Sequence, residues 1–277
     1  MWAQRAWVGR FLPAGTPSGQ ELFSYSRFVN AVEGNTTFYA LPPVAAITRW
    51  AGLAHPAFRF VFKVPRRITH DRRLIDVDQE LAAFVSLLSP LGELLGGFTF
   101  QLPPSFGPQH LDALALVLRR VPTEWRWSVE VRHPDFYGGD GRRALEALLR
   151  RHGAEWVLLD TISLFHRTPI SQEGHDEWRT KPRVPLMTEP LTDRPIVRFI
   201  GGDHPELTDA GLQRWESITA EWLDEGRTPT IFVHTPDNRR SPALARGFHE
   251  AVQREVPTLT PLPEPIPVEA VDQGRLF

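Results

Sequence analysis

Apolar residues along this chain gather into eight short runs, each ending in a polar or charged residue, and most are followed by Pro, Gly or Asn. The predicted strands are Ala6–Gly9, a second between Asn30 and Tyr39, Phe58–Lys63, Gly97–Leu102, Trp127–Arg132, Trp156–Asp160, Ile196–Gly201 and Thr230–Thr235. Between them, apolar positions recur at helical spacing over Glu21–Phe28, Pro43–Leu53, Asp76–Leu91, Leu111–Arg120, Arg142–His152, Thr208–Gly226 and Ala243–Val256. Strand, polar end and helix repeated eight times predict an α/β chain folded as a (β/α)8 barrel of the TIM type, with the strand C-termini on one functional face. The stretch 162–195 breaks the rhythm. It is Pro-rich and charged, and reads as a long loop or lid inserted after the sixth strand. One barrel domain is therefore expected over residues 1–256, followed by an extended, disordered Pro-rich tail over 257–277.

Alternation within the strands says which residues face the axis. In Phe58–Lys63 the aromatics Phe58, Phe60 and Phe62 point one way and Val61 and Lys63 the other. In Trp127–Arg132, Trp127, Val129 and Val131 suit a helix-covered outer face, which turns Ser128, Glu130 and Arg132 inward. Taken over all eight strand ends, the barrel mouth gathers Glu33, Asn35, Lys63, Gln101, Glu130, Arg132, His133, Asp160, Arg198, His234, Asp237 and Asn238. Unpaired ions near a barrel axis cost several kcal/mol each, so such a set either closes on itself in salt bridges or serves a ligand.

Composition narrows the chemistry. The chain has 277 residues, 42% apolar and 23% charged, which suits one large globular α/β domain. It has no cysteine, which excludes disulfides, thiolate catalysis and zinc–cysteine centres. No apolar run reaches a membrane span or forms the core of a signal peptide, so a cytoplasmic location is expected. The net charge of −2 excludes a wholly basic surface but permits local basic patches. Two are visible: Arg66, Arg67, His70, Arg72 and Arg73 after the third strand, and Arg239 with Arg240 after the eighth.

The cations point to an anionic, phosphate-bearing ligand, because guanidinium groups grip phosphate and carboxylate with paired hydrogen bonds. Arg132 and Arg198, with Glu33, Asn35, Gln101, Asp237 and Asn238, are the candidate binding residues. Glu130 or Asp160 would serve as general base and His133 or His234 as acid. Lys63 would stabilise charge or act as an amine nucleophile. Glu33, Glu130, His133, Asp160, His234 and Asp237 are also donor types that suit Mn²⁺, Mg²⁺ or Zn²⁺, although the adjacent cations oppose a divalent ion.

Several strand-end segments resemble the YecE-like family, a bacterial domain of unknown function. They are Val32-Glu33-Gly34-Asn35-Thr36-Thr37-Phe38-Tyr39, Phe60-Val61-Phe62-Lys63 with Ile68-Thr69-His70, Gln101-Leu102-Pro103-Pro104-Ser105-Phe106, Val129-Glu130-Val131-Arg132-His133-Pro134, Arg198-Phe199-Ile200-Gly201 and His234-Thr235-Pro236-Asp237-Asn238. The resemblance implies a TIM-type barrel and carries no reaction, substrate or catalytic residue. The final Gln273-Gly274-Arg275-Leu276-Phe277 resembles the Gln-x-x-Leu-Phe peptide that docks on the bacterial sliding DNA clamp, with Gln273, Leu276 and Phe277 as the contacts. Three functions are consistent with these features. One is a phosphodiesterase or nuclease linked to DNA metabolism. Another is a lyase, isomerase or hydrolase acting on a phosphorylated or carboxylated metabolite. The third is a non-catalytic adaptor for a ligand or nucleic acid.

Overall fold

The structure, a computed structural model, describes residues 2–268. Its strands are β1 (Ala31–Gly34), β2 (Arg59–Lys63), β3 (Leu95–Gln101), β4 (Trp127–Glu130), β5 (Glu155–Trp156), β6 (Leu158–Asp160), β7 (Ile196–Ile200) and β8 (Thr230–His234). They form two parallel sheets, one in the order β1-β2-β3-β4-β5 and one in the order β6-β7-β8. Only Val157 separates β5 from β6, and its N–H still donates to the Val129 carbonyl at 2.9 Å. One stretch of chain thus pairs with β4 at its start and with β7 at its end.

The helices are α1 (Glu21–Phe28), α2 (Val44–Leu53), α3 (Asp78–Leu88), α4 (Leu111–Leu118), α5 (Gly139–Arg151), α6 (Ile162–Phe165), α7 (Gln172–Thr180), α8 (Pro205–Asp224) and α9 (Ser241–Glu255). The strands' outer faces are their aromatic and branched positions. Phe60 and Phe62 stack against Trp50 of α2, and Trp127 stacks on Phe98 and Phe100. On the opposite strand face a separate small cluster holds Val61, Val157, Ile196 and Phe232, with Ala31 against it. The alternation read from β2 and β4 therefore holds: aromatics face the helices, and Val61 lies two residues below Lys63 on the inner side.

Two expectations about the fold need correction. The predicted first strand, Ala6–Gly9, is a turn of 3₁₀ helix at Arg5–Trp7, and Val8 bridges only to Leu12. Gly9 at φ 78° turns the chain where a strand would have to continue. Trp7 instead lies buried, stacked on Tyr25, with its indole N–H donating to the Asn238 carbonyl at 3.0 Å. The second correction concerns closure. Among the described residues no ladder joins β8 to β1, so the sheets do not close into a barrel. The count of eight strands is reached because the expected sixth strand is divided at Val157.

The insertion and the described part of the tail are more ordered than their composition suggests. Segment 162–195 holds α6 and α7, and Ser171 caps α7 by accepting the Gly174 N–H. Asp203 anchors that cap, accepting from the N–H groups of Ile170 and Ser171 at 2.8 Å each and from the Ser171 hydroxyl. The buried Glu155 carboxylate fixes the bend that leads into β7, accepting the Leu191 and Thr192 N–H groups at 3.0 Å each. The described part of the Pro-rich tail lies against α9. Leu262 is buried, and Arg246 donates to the Pro263 carbonyl at 3.2 Å.

Candidate anion-binding site

The inner face carries the charge. Glu33 on β1, Lys63 on β2, Gln101 on β3 and Glu130 on β4 are buried at or beside the C-terminal ends of their strands, and Arg198 is buried in the middle of β7. Arg132 follows β4, and His234 ends β8. Gly34 is what lets β1 sit this close to β2, because a Cβ there would lie 2.3 Å from the Phe62 ring.

Glu33 is the hub. Its oxygens lie 3.5 Å from Lys63 Nζ, 3.2 Å from Arg198 Nε and 3.3 Å from His234 Nε2. These last two contacts reach Glu33 from β7 and β8, so side chains bridge the seam that the backbone leaves unpaired. Lys63 Nζ also donates to Gln101 Oε1 at 2.7 Å. Glu130 accepts from Arg132 Nε at 2.9 Å and Nη2 at 2.8 Å, and lies 3.5 Å from Arg198 Nη1.

Protonation follows from this crowding. Burial alone would raise the Glu33 carboxyl, but Arg198, Lys63 and the hydrogen bond to His234 hold it well below the usual carboxylate range. Burial opposes ionisation of Glu130 too, yet Arg132, Arg198 and Lys63 bring it down to about 2. Burial, then Arg198, pushes the Lys63 amine down to about 8 against the pull of Glu33 and Glu130. Burial and Arg198 likewise lower His234 to about 4, despite its bond to Glu33. At neutral pH His234 is therefore an uncharged imidazole donating to Glu33. Lys63, Arg132 and Arg198 face two carboxylates, which leaves one positive charge in excess.

A cavity of about 560 Å³ opens over this set. Glu33, Asn35, Lys63, Gln101, Arg132, Arg198, His234 and Asn238 all line it. Phe38 and Tyr39, and Glu177 and Lys181 of the insertion, also line it, although no strand-end pattern marks them as site residues. Tyr39 is 81% exposed, with its ring edge-on to Phe38 at 5.1 Å. The Glu33-Gly34-Asn35 turn that delivers Tyr39 was legible, whereas the return of the insertion onto the mouth had no local signal.

Four of the expected site residues have other work. Asp160 faces outward: its Oδ2 accepts from Trp215 Nε1 at 2.8 Å and Arg214 Nη2 at 3.0 Å, and its Oδ1 caps Ile162. His133 caps the turn Pro134–Tyr137, its Nδ1 accepting the Asp135 N–H at 3.2 Å. Asp237 accepts the Arg239 N–H at 2.9 Å and pairs with that guanidinium. Glu130 belongs to the cluster but is sealed, with its side chain wholly inaccessible and its oxygens turned to Arg132 and Arg198. The basic loop after β2 is partly neutralised: Arg66 pairs with Asp71, Arg67 and Arg72 share Glu80, and Arg73 donates to the Ser105 hydroxyl at 3.4 Å. Among the described residues no three His, Asp or Glu side chains are arranged to hold a metal ion. Gln273, Leu276 and Phe277 lie outside the described residues.

The segments that carry the family resemblance are those that build this cluster. The family model described as a protein of unknown function, DUF72, matches residues 1–267. The chain belongs to the DUF72 family. Within it, the chain is 35% identical to the UPF0759 protein YecE of Escherichia coli, in both strain K12 and O157:H7, covering 95% of this chain and 94% of that protein. The YecE-like resemblance is thereby upheld. Two solved DUF72 structures share the fold. The one from Thermotoga maritima aligns with a TM-score of 0.67 at 20% identity, over 91% of this chain and 94% of its own. One from Enterococcus faecalis aligns with a TM-score of 0.68 at 15% identity, over 97% and 98%. No described helix of this DUF72 chain is long and apolar enough to cross a membrane.

Proposed function

We propose that this DUF72 chain is an enzyme acting on a small anionic molecule, carboxylated or phosphorylated, held at the mouth of a TIM-type barrel left open between β8 and β1. The observation that carries this reading is the net positive, buried cluster at the floor of an open cavity. Arg132 and Arg198 would receive the anion, since their guanidinium groups are already oriented by Glu130 and Glu33 and lose little freedom on binding. His234 is neutral and held by Glu33, which leaves its Nδ1 to accept or return a proton at the reacting group. Gln101 orients Lys63, which lines the cavity beside them.

A nuclease reading has less support. A polynucleotide needs a long cationic track, and most of the arginines flanking this mouth, Arg73 excepted, are paired to Asp71, Glu80, Asp209 and Asp237. The test is thermal stabilisation of the purified protein by a panel of phosphorylated and carboxylated metabolites, their uncharged analogues, and short oligonucleotides. Stabilisation by a few anionic small molecules, abolished in Arg132→Gln, is expected. Stabilisation by oligonucleotides alone, or equally by the uncharged analogues, would overturn the reading.

A further inference from the structure

This chain contains only two lysines among its 31 basic residues. Every other basic position is arginine, including those that pair with acids over the surface. Arginine serves as a fixed charge at least as well as lysine does, but it cannot be deprotonated in a protein and so cannot act as an amine nucleophile. Both lysines line the same cavity. Lys181 closes α7 at the rim and pairs with Glu177 at 2.8 Å. Lys63 sits at the bottom, with its amine held between Gln101 Oε1 and Glu33 Oε1.

We infer that Lys63 is a covalent catalytic residue, whose amine condenses with the carbonyl carbon of a small aldehyde or ketone carrying a carboxylate or phosphate. The inference rests on the anion-binding reading above and adds to it the reactive group of the substrate. Arg132 and Arg198 lie around Lys63 and would take the anionic end, which directs the carbonyl toward Nζ. The uncharged amine donates its lone pair to the carbonyl carbon, and the C=O π pair moves to oxygen. One nitrogen proton passes to that oxygen, giving a carbinolamine. The hydroxyl then takes a second proton and leaves as water, and the nitrogen lone pair forms the C=N bond. Counted from the ammonium, one carbonyl compound is consumed, one water is released and the positive charge stays on nitrogen as an iminium. The relay for these protons is already assembled, because Lys63 and His234 contact opposite oxygens of the Glu33 carboxylate. The lowered proton affinity of Lys63 favours the step. A fall from 10.5 to about 8 raises the uncharged fraction at pH 7 roughly 300-fold.

The test is reductive trapping on the full chain. The protein is incubated at pH 7.5 with pyruvate or 2-oxoglutarate, or with dihydroxyacetone phosphate or glyceraldehyde 3-phosphate, then treated with borohydride and mapped by peptide mass spectrometry. The expected product is a secondary amine at Lys63 from at least one probe, with Lys181 and the N-terminal amine at least 10-fold less modified in the same sample. The two probe pairs distinguish a carboxylate from a phosphate as the anionic end. Mapping the wild-type chain decides the matter without a variant. Lys63→Arg, checked for folding by its thermal melt, should abolish the adduct, and Arg132→Gln should lower it for anionic probes while sparing acetaldehyde. Absence of a Lys63 adduct with a probe that stabilises the protein thermally would overturn the inference and leave the anion-binding reading standing. Absence of both stabilisation and adduct would remove the two together.

Discussion

Replacing Glu130 by Gln separates a sealed supporting carboxylate from a general base. Glu130 is wholly buried, and both its oxygens are taken up by Arg132 and Arg198. Its folded-state value near 2, against an ordinary 4.5, means the native state favours the carboxylate over the acid. At about 1.4 kcal/mol per unit this is worth about 3 kcal/mol of folding stability. Because the folded value is depressed, the contribution is complete above 4.5 and disappears as pH falls through 2. The neutral amide of the variant mimics the protonated acid at every pH. Glu130→Gln should therefore lose about 3 kcal/mol relative to wild type at pH 7, but only about 1 kcal/mol at pH 3. Urea titrations of both proteins at the two pH values, compared through their midpoints at a common slope, measure the difference directly. A variant as stable as wild type at pH 7, or a deficit that does not shrink in acid, would refute the supporting role. It would return Glu130 to the position of a catalytic base.

Other perturbations follow from the same geometry. Asp160→Asn should cost about 2 kcal/mol in a urea titration, since it weakens charge-assisted bonds to Arg214 and Trp215, while leaving the binding of any cavity ligand unchanged; a loss of affinity instead would put Asp160 in the site. His234 should titrate near pH 4 by NMR of its ring protons, and His234-dependent binding should stay flat between pH 5 and 7, because the neutral form is complete above its lowered value. A midpoint near 6.5 would contradict the burial and the nearby Arg198 charge that lower it. Docking of Gln273, Leu276 and Phe277 on a bacterial sliding clamp predicts that a peptide of residues 268–277 binds purified clamp at micromolar concentration and that Phe277→Ala removes binding. No binding at high micromolar concentration excludes it.

Much of the strand and helix layout, and much of the site, was legible from alternation, because a half-polar strand announces its two faces. In β4, Trp127 and Val129 against Ser128 and Glu130 leave one arrangement that buries the aromatic under helices. The same parity places His133 on the opposite face from Arg132, so not every polar strand end belongs to one mouth. In the run Trp156-Val157-Leu158-Leu159-Asp160 the signal is absent. Every residue before the aspartate is apolar, so no period exists, and only the packing of Leu158 with Val197 and Phe199 shows that Asp160 faces outward toward α8.

The sequence by itself determined the parallel α/β class, the family, and the inward set Glu33, Lys63, Glu130, Arg132 and Arg198. These depend on local period and on which residue types stand at strand ends. The tertiary structure decided what those residues are to one another. Glu33 gathers Lys63, Arg198 and His234, Glu130 is shut away behind two arginines, and the seam between β8 and β1 is crossed by side chains rather than by a ladder. Pairing, burial and proton affinity depend on distances between groups as far apart in the chain as Glu33 and His234. No local pattern encodes such distances. The two lysines stand in the sequence as two letters among many arginines, and only folding brings them to one cavity.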